Sequence, residues 1–190
     1  MTTDNRDPAR FRSRLLARER LMGTFLKTPT IHATEILAAL GYDFVVIDDE
    51  HTPIDRAMID QIIFAARVLK VAPFVRVTGA SSAEILSALD CGATGVLVPH
   101  VATAERAREA VAACRYRGGA RGYSGSPRMA QYGGGAVWKT VDAQDAQTTV
   151  VAMIEDPLAI DNIDAIAAVE GLDAFFIGRG DLTVAYGVPS

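Results

Sequence analysis

The sequence predicts a parallel α/β sheet wrapped by helices, and three observations predict it. Short apolar runs alternate with longer amphipathic stretches from residue 21 almost to the end. The short runs are continuously apolar, as in strands covered on both faces, where a one-sided sheet would alternate. Consecutive runs are also far enough apart to admit a helical crossover, which is right-handed in parallel sheets.

The elements follow in order. Asp7-Pro8 is a helix start, and Phe11, Leu15 and Leu16 give the stripe behind it. Arg6, Arg10, Arg12, Arg14, Arg18 and Arg20 are interleaved with Asp4, Asp7 and Glu19, the pattern of a solvated helix and not of a signal or transit segment. An apolar run at 21–26 precedes a helical stretch at 33–40. Phe44-Val-Val-Ile47 leads into a helix over 54–69, where Met58, Ile59, Ile62, Ile63 and Ala66 recur at helical spacing. Phe74-Val-Arg-Val77 precedes a helix opened by Ser81-x-x-Glu84, the spacing of a capping box. Gly95-Val-Leu-Val98 precedes a helix at 103–114, and Val150-Val-Ala-Met-Ile154 precedes one at 158–169. Ala174-Phe-Phe-Ile177 is the sixth strand. Residues 117 to about 148 read as one long irregular piece, rich in glycine. A loop of that length is functional or mobile. No phosphate-binding glycine fingerprint follows a strand there, so a lid or subunit-contact loop is expected.

Composition narrows the function. Nineteen Lys and Arg against 23 Asp and Glu leave a net charge of −4, which argues against a nucleic-acid surface. With 49 % hydrophobic and 22 % charged residues, the chain has ample material for one domain, 1–190. No run approaches the roughly 20 apolar residues of a membrane span. Cys91 and Cys114 are too few for a disulfide framework or a zinc site and read as free buried thiols, in keeping with a cytoplasmic protein.

In a parallel sheet the residues after each strand gather on one face, where α/β enzymes place their chemistry. The second strand ends in Asp48-Asp49-Glu50-His51, the third carries Arg76, and the fourth ends in Pro99-His100. The fifth ends in Glu155-Asp156-Pro157 and the sixth in Gly178-Arg-Gly-Asp181. Singly, each has a plain reading: Asp156 and Asp181 as helix caps, His100 as a turn residue, His32 as structural or exposed, Asp49 and Glu50 as solvated charges. Together they place carboxylates, an arginine and a histidine at one rim, a set suited to a hard divalent metal and an anionic substrate. Zinc would recruit more histidines or cysteines, and a serine hydrolase would need a nucleophile elbow after a strand. Lys70 precedes a strand and Lys139 lies in the long loop, so no lysine is expected at a strand's C-terminal end, which weighs against Schiff-base chemistry.

Several stretches carry a family resemblance. Phe44-Val-Val-Ile-Asp-Asp-Glu-His51 with Thr52-Pro53, Pro73-Phe-Val-Arg76 and Leu89-Asp-Cys-Gly-Ala-Thr-Gly-Val-Leu-Val-Pro99 resemble the metal-dependent pyruvate aldolases of the HpcH/HpaI aldolase and citrate lyase family, such as 4-hydroxy-2-oxoheptanedioate aldolases. Arg121-Gly122, Met153-Ile-Glu155 with Asn162, and Gly171-Leu-Asp-Ala-Phe-Phe-Ile-Gly-Arg-Gly-Asp-Leu182 continue the likeness, which covers roughly 20–187. The resemblance implies a (β/α)8 barrel of the phosphoenolpyruvate/pyruvate type, cleaving 4-hydroxy-2-oxo acids to pyruvate and an aldehyde. It implies that Glu155 and Asp181 hold a divalent metal ion (Mg, Mn or Co), with His51 as catalytic base and Asp90 as the acid that raises its basicity. Arg76 would stabilise the enolate, while Gly180 and Asp181 would meet the substrate. Two positions depart from the best-known members. Met153 stands where they carry glutamine, and Arg179-Gly180 where they carry proline and alanine. A citramalyl- or malyl-coenzyme A type lyase and a non-catalytic barrel are the alternative readings; the absence of a concentrated basic patch argues against the coenzyme.

A closed barrel of this kind takes about 250 residues, at roughly 30 per βα unit. By that count the chain lacks the last two units, leaving its first and sixth strands unpaired at their edges. A homo-oligomer is expected. The chain alone is expected to be poorly soluble or self-associated, and less active than a version extended by two units.

Overall fold

The computed structural model describes residues 6–188. Residues 1–5, with Asp4 of the interleaved charges, and residues 189–190 lie outside the described part. Six parallel strands form one sheet in sequence order: β1 (Gly23–Leu26), β2 (Phe44–Asp48), β3 (Ala72–Arg76), β4 (Gly95–Val98), β5 (Thr149–Ile154) and β6 (Ala174–Ile177). Every crossover therefore steps one strand in the same direction, and a twisted sheet built that way curls. The curl is deep. Phe25 of β1 and Phe176 of β6, five strand positions apart, meet edge to face with ring centroids 5.4 Å apart.

The helices are α1 (Phe11–Leu16), α2 (His32–Ala39), α3 (Arg56–Val68), α4 (Ser82–Asp90), α5 (Ala104–Cys114), α6 (Val137–Gln147), α7 (Pro157–Asp161), α8 (Ile163–Ala167) and α9 (Arg179–Ala185). Alternate strand residues face opposite sides, so the apolar runs feed two layers. Outside the sheet, Val45, Ile47, Val75, Val96 and Ile154 pack against Ile59, Ile62 and Ile63 of α3, Ile85 and Leu89 of α4, and the alanine face of α5. Inside the curl, Val46, Phe74, Leu97 and Met153 form a second, smaller cluster with Phe11. This two-sided burial is why the strands read as unbroken apolar runs. Cys91 and Cys114 are free and buried, and burial pushes the Cys114 thiol up to about 12. They are packing groups.

Helix α1 stops the inner cluster at the N-terminal end of the strands. The turn before it (Pro8–Arg10) is capped by Asp7, whose side chain accepts the Ala9 N–H. Phe11 then inserts its ring 5.4 Å from Phe44 and 4.9 Å from Phe74, edge to face in both cases. Arg12, on the same helix, reaches Asp173 just before β6, with Nε 3.0 Å and Nη2 2.9 Å from Oδ1. Phe11→Ala should destabilise the fold by about 3–5 kcal/mol, the range for emptying a buried aromatic site, read by denaturant unfolding.

The long irregular segment is shorter than the sequence predicts. It contains the turn Arg128–Gly133 and the whole of α6. Only Thr140 and Val141 of α6 are buried, and Trp138 is exposed, so its apolar period was too sparse to read. Asp145 of α6 accepts the backbone N–H groups of Tyr116 and Arg117 at 2.9 Å each, tying down the start of the segment. The helix expected over 158–169 is likewise two short ones, α7 and α8, meeting at Asn162, whose amide donates to Ala102 O at 3.0 Å. The capping box at Ser81 is half made. Ser81 Oγ accepts the Glu84 N–H, while the Glu84 carboxylate turns to the Thr78 hydroxyl at 2.6 Å. Among the described residues no helix is long and apolar enough to cross a membrane.

Candidate active site

With the inner cluster apolar below, inward-facing polar groups collect at the C-terminal rim of the strands. Asp48 ends β2 and Arg76 ends β3, and the two are register partners. Arg76 donates from Nε to Asp48 Oδ1 at 2.9 Å and from Nη2 to Oδ2 at 2.6 Å, a two-pronged pair. Its Nη1 lies 3.3 Å from Glu50 Oε2. Burial raises the Asp48 carboxyl, but the Arg76 donors and the His51 N–H at 3.1 Å outweigh it and hold Asp48 below the ordinary carboxylate range. Sequence left the partner of Arg76 open; the register selects Asp48.

Lys27 corrects one expectation. It follows β1 directly, and its Nζ stands 3.3 Å from Asp48 Oδ2. A lysine therefore does stand at a strand's C-terminal end, because the first strand stops at Leu26. The argument against Schiff-base chemistry from missing lysines falls with it.

Glu155 follows β5 and is 3 % exposed. Its Oε1 accepts the His100 N–H at 2.8 Å. His100 sits at φ +53°, a backbone region that non-glycine residues seldom take. Burial raises the Glu155 carboxyl, and the charges of Asp181 and Glu50 push the same way; the His100 N–H and imidazole oppose them without cancelling the rise. Neighbouring carboxylates thus stand close enough to disfavour the charge on Glu155. Gly178 makes room for this side chain: a Cβ there would come within 2.5 Å of Glu155 Cβ and 2.7 Å of Oε2.

The donor set fits a hard divalent ion. Among the described residues no group of three or more His, Cys, Asp or Glu is arranged to cage a metal. Magnesium-like ions need no such cage, since one or two carboxylates suffice when waters and substrate oxygens complete the shell. Asp181, on the first turn of α9, lines a cavity of about 320 Å³ with Lys27, Arg76, Met153, Arg179 and Gly180. A Cβ on Gly180 would meet nothing, so the residue lies open to that cavity. His51 stands at the rim, 59 % exposed in its side chain, with Nε2 3.7 Å from Glu50 Oε2.

Asp90 is not brought to this rim. It is the last residue of α4, a helix that starts past the end of β3 and runs back along the sheet for roughly 13 Å. Burial raises its carboxyl, and the charges that oppose the rise are those of Arg121 and Arg56. Among the described residues its Oδ1 is buried without a hydrogen-bond partner, and no hydrogen bond or ion pair joins it to His51. His32 is exposed and shares a hydrogen-bond distance of 3.2 Å with Thr30.

Comparison with known proteins decides the family. The HpcH/HpaI aldolase/citrate lyase family model matches residues 21–190. The chain belongs to this family. It is 39 % identical to a 4-hydroxy-2-oxovalerate aldolase of Novosphingobium aromaticivorans over 88 % of its length, and 37 % identical to a 2-dehydro-3,6-dideoxy-6-sulfogluconate aldolase of Pseudomonas putida over 85 %. It spans 63 % of the length of each of these relatives. A solved HpcH/HpaI family structure from Burkholderia cenocepacia superposes with a TM-score of 0.86 at 32 % identity, over 93 % of this chain and 71 % of that one. As a family member the chain shares the parallel α/β architecture of that solved structure.

Sequence reasoning assigned no part to Asp48 or Lys27. The signal for Asp48 was its position: an acid at the last inward-facing place of one strand, beside an arginine at the same place on the next. For Lys27 the signal was equally plain, a charge that ends an apolar run.

Proposed function

We propose that the protein is a divalent-metal-dependent pyruvate aldolase, a carbon–carbon lyase that cleaves 4-hydroxy-2-oxo acids to pyruvate and an aldehyde. One observation carries the reading: Asp181 and Arg76 line the same rim cavity, with buried Glu155 feeling the Asp181 charge and Asp48 paired to Arg76. Two relatives named as aldolases agree with it.

When bound by Glu155 and Asp181, a magnesium, manganese or cobalt ion supplies a Lewis acid for the negative charge that cleavage leaves on the pyruvate half. Arg76 adds a fixed cation at the same place. Its two bonds to Asp48 hold the guanidinium in position before the substrate arrives, so little reorganisation opposes charge development. His51 takes the C4 hydroxyl proton, from an exposed place at the rim that a substrate can reach. The backbone amide of Gly180 meets the substrate carboxylate. Asp90 acts on His51 only through an arrangement that this single chain does not contain.

In this reading the six strands are the first six of a (β/α)8 barrel in a cytoplasmic homo-oligomer. Exposed Phe176 and Ile177 on β6, and Ile36 on α2 with Leu40 after it, mark the two apolar margins that further chain or a neighbouring subunit would cover.

The test is pyruvate release from a 4-hydroxy-2-oxo acid by the purified chain, followed through a coupled dehydrogenase. Release should stop with chelator and return with magnesium, manganese or cobalt. Release indifferent to chelator, together with borohydride trapping of pyruvate on Lys27, would replace the metal reading with a Schiff-base one.

A further inference from the structure

We propose that His100 is a positioning residue for the metal centre, holding one oxygen of Glu155 so that a single oxygen is left for the ion. The inference rests on the metal reading above and adds what selects the ion, an octahedral magnesium or manganese over calcium. The backbone explains how a histidine comes to do this. Pro99 has no N–H to give, and the ladder between β4 and β5 ends at Val98, opposite Ala152. The next N–H, that of His100, goes to a side chain, Glu155 Oε1 at 2.8 Å. The chain then returns to β5, where the Val101 N–H meets Met153 O at 3.3 Å. His100 makes that detour at φ +53°.

A residue other than glycine stays in the left-handed region only when its surroundings hold it there. The hold on His100 is Asp156, whose Oδ2 lies 3.2 Å and Oδ1 3.4 Å from the ring Nδ1. Asp156 stands at the N-cap of α7, yet its side chain makes no capping bond to that helix and turns to the imidazole instead. One residue thus grips two consecutive acids, the first through its peptide and the second through its ring. Glu155 keeps Oε2, which packs on Gly178 at the wall of the rim cavity, three residues before Asp181. A carboxylate tied at one oxygen cannot offer both to a cation. Magnesium and manganese lose nothing by that, because a compact octahedral shell takes one oxygen from each carboxylate. Calcium fills a larger shell of roughly six to eight oxygens and loses the two-oxygen contact it would otherwise make.

Manganese titration followed by electron paramagnetic resonance, with calcium as competitor, tests this without turnover. The wild-type chain should bind manganese well ahead of calcium. His100→Ala loses the ring and takes the left-handed region only at a cost. It should lower the manganese-to-calcium preference about tenfold or more, the range for losing a group that orients a metal ligand. Asp156→Ala should do the same. His100→Gly keeps the N–H and enters that region freely, so it should stay within about threefold of wild type. Adding Asp156→Ala to His100→Gly should change nothing further. Should His100→Ala lose its helical circular dichroism, Asp156→Ala against the double variant decides alone: recovery in the double variant supports the inference, and its absence counts against it. Equal binding of the two ions by wild type, His100→Gly as damaging as His100→Ala, or Ala variants that keep the preference overturns the inference while leaving the metal reading intact. A wild-type chain that binds no manganese overturns the metal reading and this inference with it.

Discussion

Glu155→Ala or Asp181→Ala is expected to abolish measurable turnover, a fall of about 10³-fold or more, the rate equivalent of the several kcal/mol that a metal ion contributes at a developing oxyanion. The effect should be chemical and not structural. Asp181 lies on a short helix with no buried residue, and Glu155 is held by a single backbone N–H from His100. Circular dichroism should therefore be nearly unchanged, while titration with manganese should show the bound ion lost. The Asp181 charge raises the Glu155 carboxyl's preference for a proton, and that penalty is what a divalent cation relieves. Normal activity in both variants after chelator treatment would remove the metal assignment.

His51→Ala is expected to slow cleavage by about 10²–10⁴-fold, the usual range for a lost general base, read as kcat for pyruvate release. The geometry prefers His51 to the other rim histidine. Burial lowers His100, but its hydrogen bond to Asp156 at 3.2 Å and the charges of Glu155, Asp156 and Glu50 outweigh burial and raise it. The His100 Nδ1 is already engaged by Asp156 and lies 3.6 Å from Glu155, whereas His51 has, among the described residues, only Glu50, at 3.7 Å, beside an exposed ring. If cleavage proceeds unchanged in His51→Ala, the proton goes elsewhere, and His100→Ala is the next variant to measure.

Much of the fold was legible because its physics is local. Val45, Ile47, Val75 and Val96 face outward helices while Val46, Phe74 and Leu97 face the interior, so each strand announces itself as an apolar run. Helix α6 was not legible, since Trp138 faces solvent and only Thr140 and Val141 are buried. The rim acids were legible one by one from their places after strands. Their pairing was not, because the Asp48–Arg76 bond depends on register between strands 28 positions apart, which no local pattern encodes. Asp90 is the reverse case. Only resemblance singled it out, and the chain's own packing sets it beside Arg121 and Arg56.

The contact between Arg12 and Asp173 has a kinetic consequence. Each strand pairs with its neighbour in sequence, so the sheet can be laid down one βα unit at a time as the chain leaves the ribosome. Helix α1 cannot follow that schedule. Its arginine waits for an aspartate 161 positions later, which at ordinary elongation rates is on the order of 8 to 32 seconds of synthesis. Phe11 belongs to an inner cluster that is incomplete until Met153 of β5 has been made. A helix made before all six strands is thus secured only after five of them, and its aromatic side chain stays within reach of chaperones until β5 has been made.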